Sequence, residues 1–289
     1  MKINRKKYIS LISVSIGSKI IFMIPYLMSS YYAVFQNATG FTNSQIGTLI
    51  STLGICSILL YIPGGFIADR IPVKRSVMIG LIGGGLVGYF IILTMPDYPV
   101  MRIFYTIIPI FITVFTWSSS MKAIRMLGSD EEAGKNQTIR SCSISIVSIA
   151  IAVLAVYYLA VSSDDLRAYK LLLGSYSTVI ILCGICFGLT FQPSINTQNT
   201  QSPLKLNDFW NVLKNKQVIL IGLFGAAIYI TSISLVYIQP YMTMLFGLDS
   251  SLTSALGVIC KDISLVSTPV MVWLAKKTGA SITRMIQVG

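Results

Sequence analysis

Gly65-Phe66-Ile67-Ala68-Asp69-Arg70-Ile71-Pro72-Val73-Lys74-Arg75 is a short basic hairpin set between two apolar segments, each long enough to cross a membrane. A chain that leaves the bilayer and re-enters within about eight residues has to turn tightly, and its Lys and Arg residues belong on the cytoplasmic side. Everything outward from this hairpin is consistent with a membrane protein. Hydrophobic residues make up 54% of the 289 and charged residues 11%, with a mean hydropathy of +0.75, whereas a soluble chain carries about 25% charge.

A spanning helix needs about 20 apolar residues, and eight such segments follow one another: 9–35, 45–67, 76–95, 100–120, 139–161, 170–191, 218–245 and 251–275. A ninth would begin near Met285. The basic N-terminus Met1 to Lys7 runs straight into the first segment without a small-residue cleavage site, so it reads as a retained helix. Of the 22 Lys and Arg residues, seventeen fall in the N-terminus and alternate loops on one side, three (Arg102, Arg167, Lys170) on the other, and two (Lys19, Lys261) within spans. That asymmetry places the N-terminus in the cytoplasm and accounts for the net charge of +12 without nucleic acid as a partner.

The hairpin matches the pattern G-x-x-x-D-R-x-(G/P)-x-(R/K)-(R/K) and resembles the signature between the second and third helices of the major facilitator superfamily, with Pro72 where glycine is usual. The resemblance implies an all-α multi-pass bundle of two six-helix halves and secondary transport by alternating access. On that basis residues 1–191 form the N-terminal half, 192–217 a cytoplasmic linker, and 218–289 a partial C-terminal half. In the linker, Ser202-Pro203 starts an amphipathic helix with Leu206, Phe209, Trp210 and Leu213 on one face. A short internal repeat agrees with the division: Gly40 to Ser44 parallels Gly247 to Ser251, and Ala68 parallels Ala275, both at an offset of 207 residues. Two complete halves of that period need about 400 residues, so the expectation is a chain truncated after about eight of twelve helices, with a separate polypeptide as one possible source of the rest.

The resemblance also implies a gating motif made of Gly65, Asp69, Arg70, Lys74 and Arg75. Asp69 would latch one access state through a carboxylate–arginine pair, Arg125 at the end of the fourth span being its partner. The competing reading is that the three bases only enforce topology.

Ionisable residues at membrane depth supply the substrate and coupling candidates. Lys19 lies about eleven residues into its span, roughly 16 Å deep, at a cost of about 3 kcal/mol unless it meets a cavity or partner; Lys261 and Asp262 carry the same penalty. Lys19 would meet an anionic group of the solute while Asp262 carries a coupled proton, or the two would form a structural ion pair. Tyr26, Tyr229 and Gln239 on the first and seventh spans are candidates for a polar solute, since these two helices usually line the central site in the fold that the chain resembles. Tyr31 and Tyr32 fit an interfacial aromatic belt. Gly80, Gly84 and Gly88 mark a close-packing face.

The five cysteines sit in apolar segments and there is no histidine, which leaves no metal site and no cofactor in view. The expectation is a transporter of a small polar or anionic organic solute in the cell membrane, proton-coupled as a symporter. A transport-incompetent remnant or half-subunit is the alternative. An enzyme acting on lipid is weaker, because one membrane-depth carboxylate cannot supply a catalytic pair.

Overall fold

A computed structural model describes residues 5–128, 132–162, 164–193 and 214–234, together with Met242, Phe246, Gly247 and Val270. Among the described residues every regular element is helical: α1 Arg5–Ser30, α2 Tyr32–Thr39, α3 Asn43–Arg70, α4 Val73–Thr94, α5 Tyr98–Pro109, a π-helical segment Ile110–Trp117, α6 Ser118–Met126, α7 Ala133–Val161, α8 Asp165–Thr190 and α9 Lys216–Ser234. Six helical stretches among them are long and apolar enough to cross a membrane, α5, the π segment and α6 together making one of these, Tyr98–Met126. The protein is an all-α, multi-pass membrane protein.

The spans fall where apolarity puts them, with ends set by local chemistry. The first stops at Ser30 and restarts as α2 because Tyr31 adopts φ −129°, ψ 56°, outside the helical region. Gly40 then closes α2 at φ 69° and accepts this left-handed turn without a Cβ penalty. Two residues on, Thr42 and Gln45 form a reciprocal capping box that starts α3. Gly247, paired with Gly40 by the repeat, also has a positive φ, 61°.

α1 is the hub. It packs against α8, α7, α4, the π segment and α6, and its buried face carries Leu11, Val14, Ile20, Ile21, Ile24 and Leu27. Around it the neighbours follow one another as α3, the fourth span, α4, α8 and α7. Among the described residues the arc does not close between α3 and α7. Gly84 lets Ile21 of α1 approach α4, and Gly88 lets Ser177 of α8 do the same from the other side. The small-residue face of α4 therefore serves three neighbours, since Gly80 meets Thr116 and Phe111 of the π segment.

The amphipathic helix of the linker, the eighth span apart from Val270, Gln239, Lys261 and Asp262 lie outside the described residues.

Candidate functional site: the hairpin latch and the open face of α1

The hairpin is built by two residues. α3 ends at Arg70, Ile71 leaves the helix at φ −94°, ψ 136° while donating its N–H to Ile67 O at 3.0 Å, and Pro72 stands at φ −53°, ψ 128° as the residue before α4. Both dihedral pairs lie in the extended region that any residue adopts, and the φ of −53° at Pro72 is within proline's own range. Glycine is therefore not required at position 72, which accounts for the one departure from the signature. Pro72 O accepts from Ser76 N at 3.0 Å, opening the new helix.

Arg70, Lys74 and Arg75 are exposed at this end of the bundle. Asp69 is exposed too, and the base that meets it is Lys122: Nζ donates to Oδ1 at 3.2 Å. This differs from the sequence expectation of Arg125. Arg125 lies nearly one turn further along α6 and has no carboxylate within 4 Å among the described residues. The physical reason is the helix before it. The π segment bonds i to i+5 and holds an extra residue per turn, so the residues after it are turned by about 100° relative to an unbroken α-helix. That rotation brings Lys122 to Asp69.

The π segment is held by its neighbours. A Cβ on Gly64 of α3 would stand 3.0 Å from Val114 Cα and 3.2 Å from Thr113 O. From α4, Ser76 donates to Phe115 O at 3.0 Å and receives a hydrogen bond from Ser119 at 2.8 Å. Thr116 donates to Phe111 O, five residues back, at 2.8 Å. Gly65, the glycine of the signature, has open space where a Cβ would be. The close approach belongs to its neighbour, Gly64.

A second tie at the same end was not legible in the sequence. Lys7 at the start of α1 pairs with Glu132 at 2.5 Å, and Lys135 donates to Tyr8 at 2.8 Å while lying 5.3 Å from its ring centre. At the opposite end Asn37 donates to Asp165 at 2.7 Å, and Tyr32 and Gln36 both donate to Asn43, at 2.6 and 2.7 Å. Tyr32 is thus a loop-locking residue, and burial pushes the neighbouring Tyr31 phenol up to about 12.

The remaining candidates sit on one face of α1. Ile12, Lys19 and Tyr26 are exposed at seven-residue intervals on a helix whose other faces are covered; residues so spaced share a face. Because α1 is covered by α4, α8, α7 and the fourth span, this face opens into the gap between α3 and α7. Phe22, one turn from Lys19, meets Trp117 at the end of the π segment edge-on, with ring centres 5.4 Å apart. Among the described residues no carboxylate stands within 4 Å of Lys19. Tyr229 on α9 is 65% exposed. Lys19 and Tyr26 share a face two turns apart, and Tyr229 is on another helix. One further cation joins the inventory: Arg140, assigned by sequence to a loop, lies two turns inside α7, with a buried Nε that has no hydrogen-bond partner.

No cluster of three metal-ligating side chains occurs among the described residues, and Cys56, Cys142, Cys183 and Cys186 are free thiols.

Comparison with known proteins agrees with this architecture. The profile of the Major Facilitator Superfamily matches residues 9–289, and the chain belongs to that family. Its relatives include the inner membrane proteins YqcE and YihN of Escherichia coli, 28% identical over 267 residues and 22% identical over 262 residues, each alignment covering 89% of this chain and 62% of the relative. An uncharacterised protein of Mycoplasma pneumoniae is 33% identical over 91 residues, covering 29% of this chain and 66% of that protein. The chain thus spans less than two thirds of the length of the two Escherichia coli proteins.

Proposed function

We propose that the chain contributes to a secondary active transporter that carries a small organic anion by alternating access, with Lys19 as the group that receives the solute's charge. The observation that carries this reading is the exposure of Lys19 at mid-depth of α1, in a gap of the bundle. A lysine there costs about 3 kcal/mol against lipid, and the cost is removed if the gap is a water-filled cavity shared with the second half. Tyr26 on the same face, and Tyr229 with Gln239 from the seventh span, would supply hydroxyl and amide partners to the solute.

In this reading residues 1–191 and 218–289 belong to two related halves joined by a cytoplasmic linker. The N-terminus is cytoplasmic and the protein resides in the plasma membrane. Asp69 with Lys122 closes the cytoplasmic end in one access state, and Asp262 carries the coupled proton.

The test is ligand-dependent thermal stabilisation against a panel of organic anions and neutral sugars of similar size. A ligand present at a hundred times its Kd stabilises by about 2.7 kcal/mol. The expectation is an anion that stabilises the wild type and leaves Lys19→Gln unchanged. An equal response in Lys19→Gln would remove Lys19 from the site. Proton coupling is read separately in proteoliposomes, where uptake of that anion under an imposed pH gradient should be lost in Asp262→Asn.

A further inference from the structure

On the outside of the bundle, α4 and α8 leave a groove of about 420 Å³ lined by Tyr89, Ile92, Lys170, Leu171, Gly174 and Thr178. Its floor is hydroxylic. Tyr89 and Thr178 bridge the two helices through a hydrogen bond of 2.6 Å, and Ser175 lies 3.4 Å from the Tyr158 hydroxyl of α7. Its upper lip is cationic. Lys170 is half-buried five residues from the start of α8, about 7 Å along the axis, and Arg167 is exposed one turn before it. Neither has a carboxylate within 4 Å among the described residues.

These cations stand where several effects oppose them. They are two of the three Lys and Arg residues placed at the end of the bundle away from the hairpin. They are neighbours at i and i+3, where like charges repel, and they sit near a helix N-terminus, which disfavours positive charge. An anion between them would relieve all three. The surroundings say which kind. Below the groove, toward the hairpin, exposed side chains of α4 and α8 are apolar, Leu86 and Ile79 on one helix and Leu182, Ile185 and Leu189 on the other, a path for hydrocarbon. The groove is also on the far side of α1 from the gap between α3 and α7, so a transported solute has no reason to pass it.

We propose that this groove holds an anionic phospholipid, its phosphodiester at Lys170 and Arg167, its glycerol against the wall of Tyr89, Ser175 and Thr178, and an acyl chain along the apolar strip. The site stands apart from the transport reading and needs only that the helices span a bilayer. Basic pockets between spanning helices are suited to such headgroups.

The experiment is native mass spectrometry of the purified protein released from micelles containing phosphatidylglycerol or phosphatidylcholine with identical chains, with inorganic phosphate as a third arm. The wild type should retain phosphatidylglycerol in preference. Each cation near the surface is worth about 1 kcal/mol, or about five-fold, so Lys170→Gln should lower that preference about five-fold. Gly174→Leu keeps both charges and fills the groove, a Cβ there already lying 3.6 Å from Ile92 Cδ1; it should remove the retained lipid. Arg167→Gln, at an exposed position, repeats the charge arm if Lys170→Gln does not yield folded protein. Wild-type retention in the charge and groove variants overturns the proposal, as does displacement of the lipid by inorganic phosphate, which would make the lip a free-anion site.

Discussion

The pairing of Asp69 with Lys122 can be measured without knowing the solute. At 3.2 Å the attraction between unit charges is about 1 kcal/mol in bulk water and about 5 kcal/mol at an effective dielectric of 20. The side chains of Lys122 and Asp69 are 44% and 30% exposed, so the watery limit governs, and ordering two side chains reduces the net coupling to about 0.5–1 kcal/mol. This is a two- to five-fold bias on any conformation of the bundle that contains the pair. A double-mutant cycle of Asp69→Asn with Lys122→Gln, read as unfolding free energy in detergent, should return a coupling of that size, falling toward zero in 1 M salt, where the screening length is about 3 Å. The parallel cycle of Asp69→Asn with Arg125→Gln should return less than about 0.2 kcal/mol, since that pair is not in contact. The reverse result, coupling to Arg125 and none to Lys122, would refute both the pair and the π-helical register that produces it.

Two further substitutions test the frame around the latch. Gly64→Ala puts a methyl 3.0 Å from the Val114 backbone and should destabilise by about 1–2 kcal/mol, whereas Gly65→Ala, into open space, should stabilise by up to about 1 kcal/mol through helix propensity; equal melting temperatures for the two would sink the packing argument. Pro72→Gly, which restores the usual residue of the signature, should lower stability by about 0.4–1 kcal/mol because it frees the unfolded chain while Pro72 already has its preferred φ of −53°; a rise in melting temperature would show that the turn is strained.

What the sequence made legible was what hydropathy and charge encode. Apolar runs of about 20 residues located the described spans, and the hairpin located the family. The misses have specific causes. The first span was read through Tyr31 because its residues are apolar on both sides, while the break lies in one pair of dihedrals. Helix ends such as Lys7 and Arg140 were left in loops because hydropathy discounts charge, although the backbone there is helical. The tie between Lys7 and Glu132 joins residues 125 apart, and nothing local announces it. Gly65 was singled out because a motif aligns it, whereas the residue that cannot bear a Cβ is Gly64, a fact of packing against a helix that is distant in sequence.

The π segment is where these threads meet, and its hold on the latch follows from the contacts. A π turn has poorer geometry than an α turn and persists only where its surroundings hold it. Gly64 from α3 and Gly80 from α4 approach the same eight residues from two sides, and Ser76 bonds Phe115 O and Ser119 at their exit. Loss of the extra residue's turn would rotate α6 by about 100°, taking Lys122 away from Asp69 and Trp117 away from Phe22 together. The Asp69–Lys122 pair and the aromatic contact beside Lys19 therefore depend on one helical register, and a substitution that loosens Gly64 should be felt at both, although they lie at different depths of the bundle.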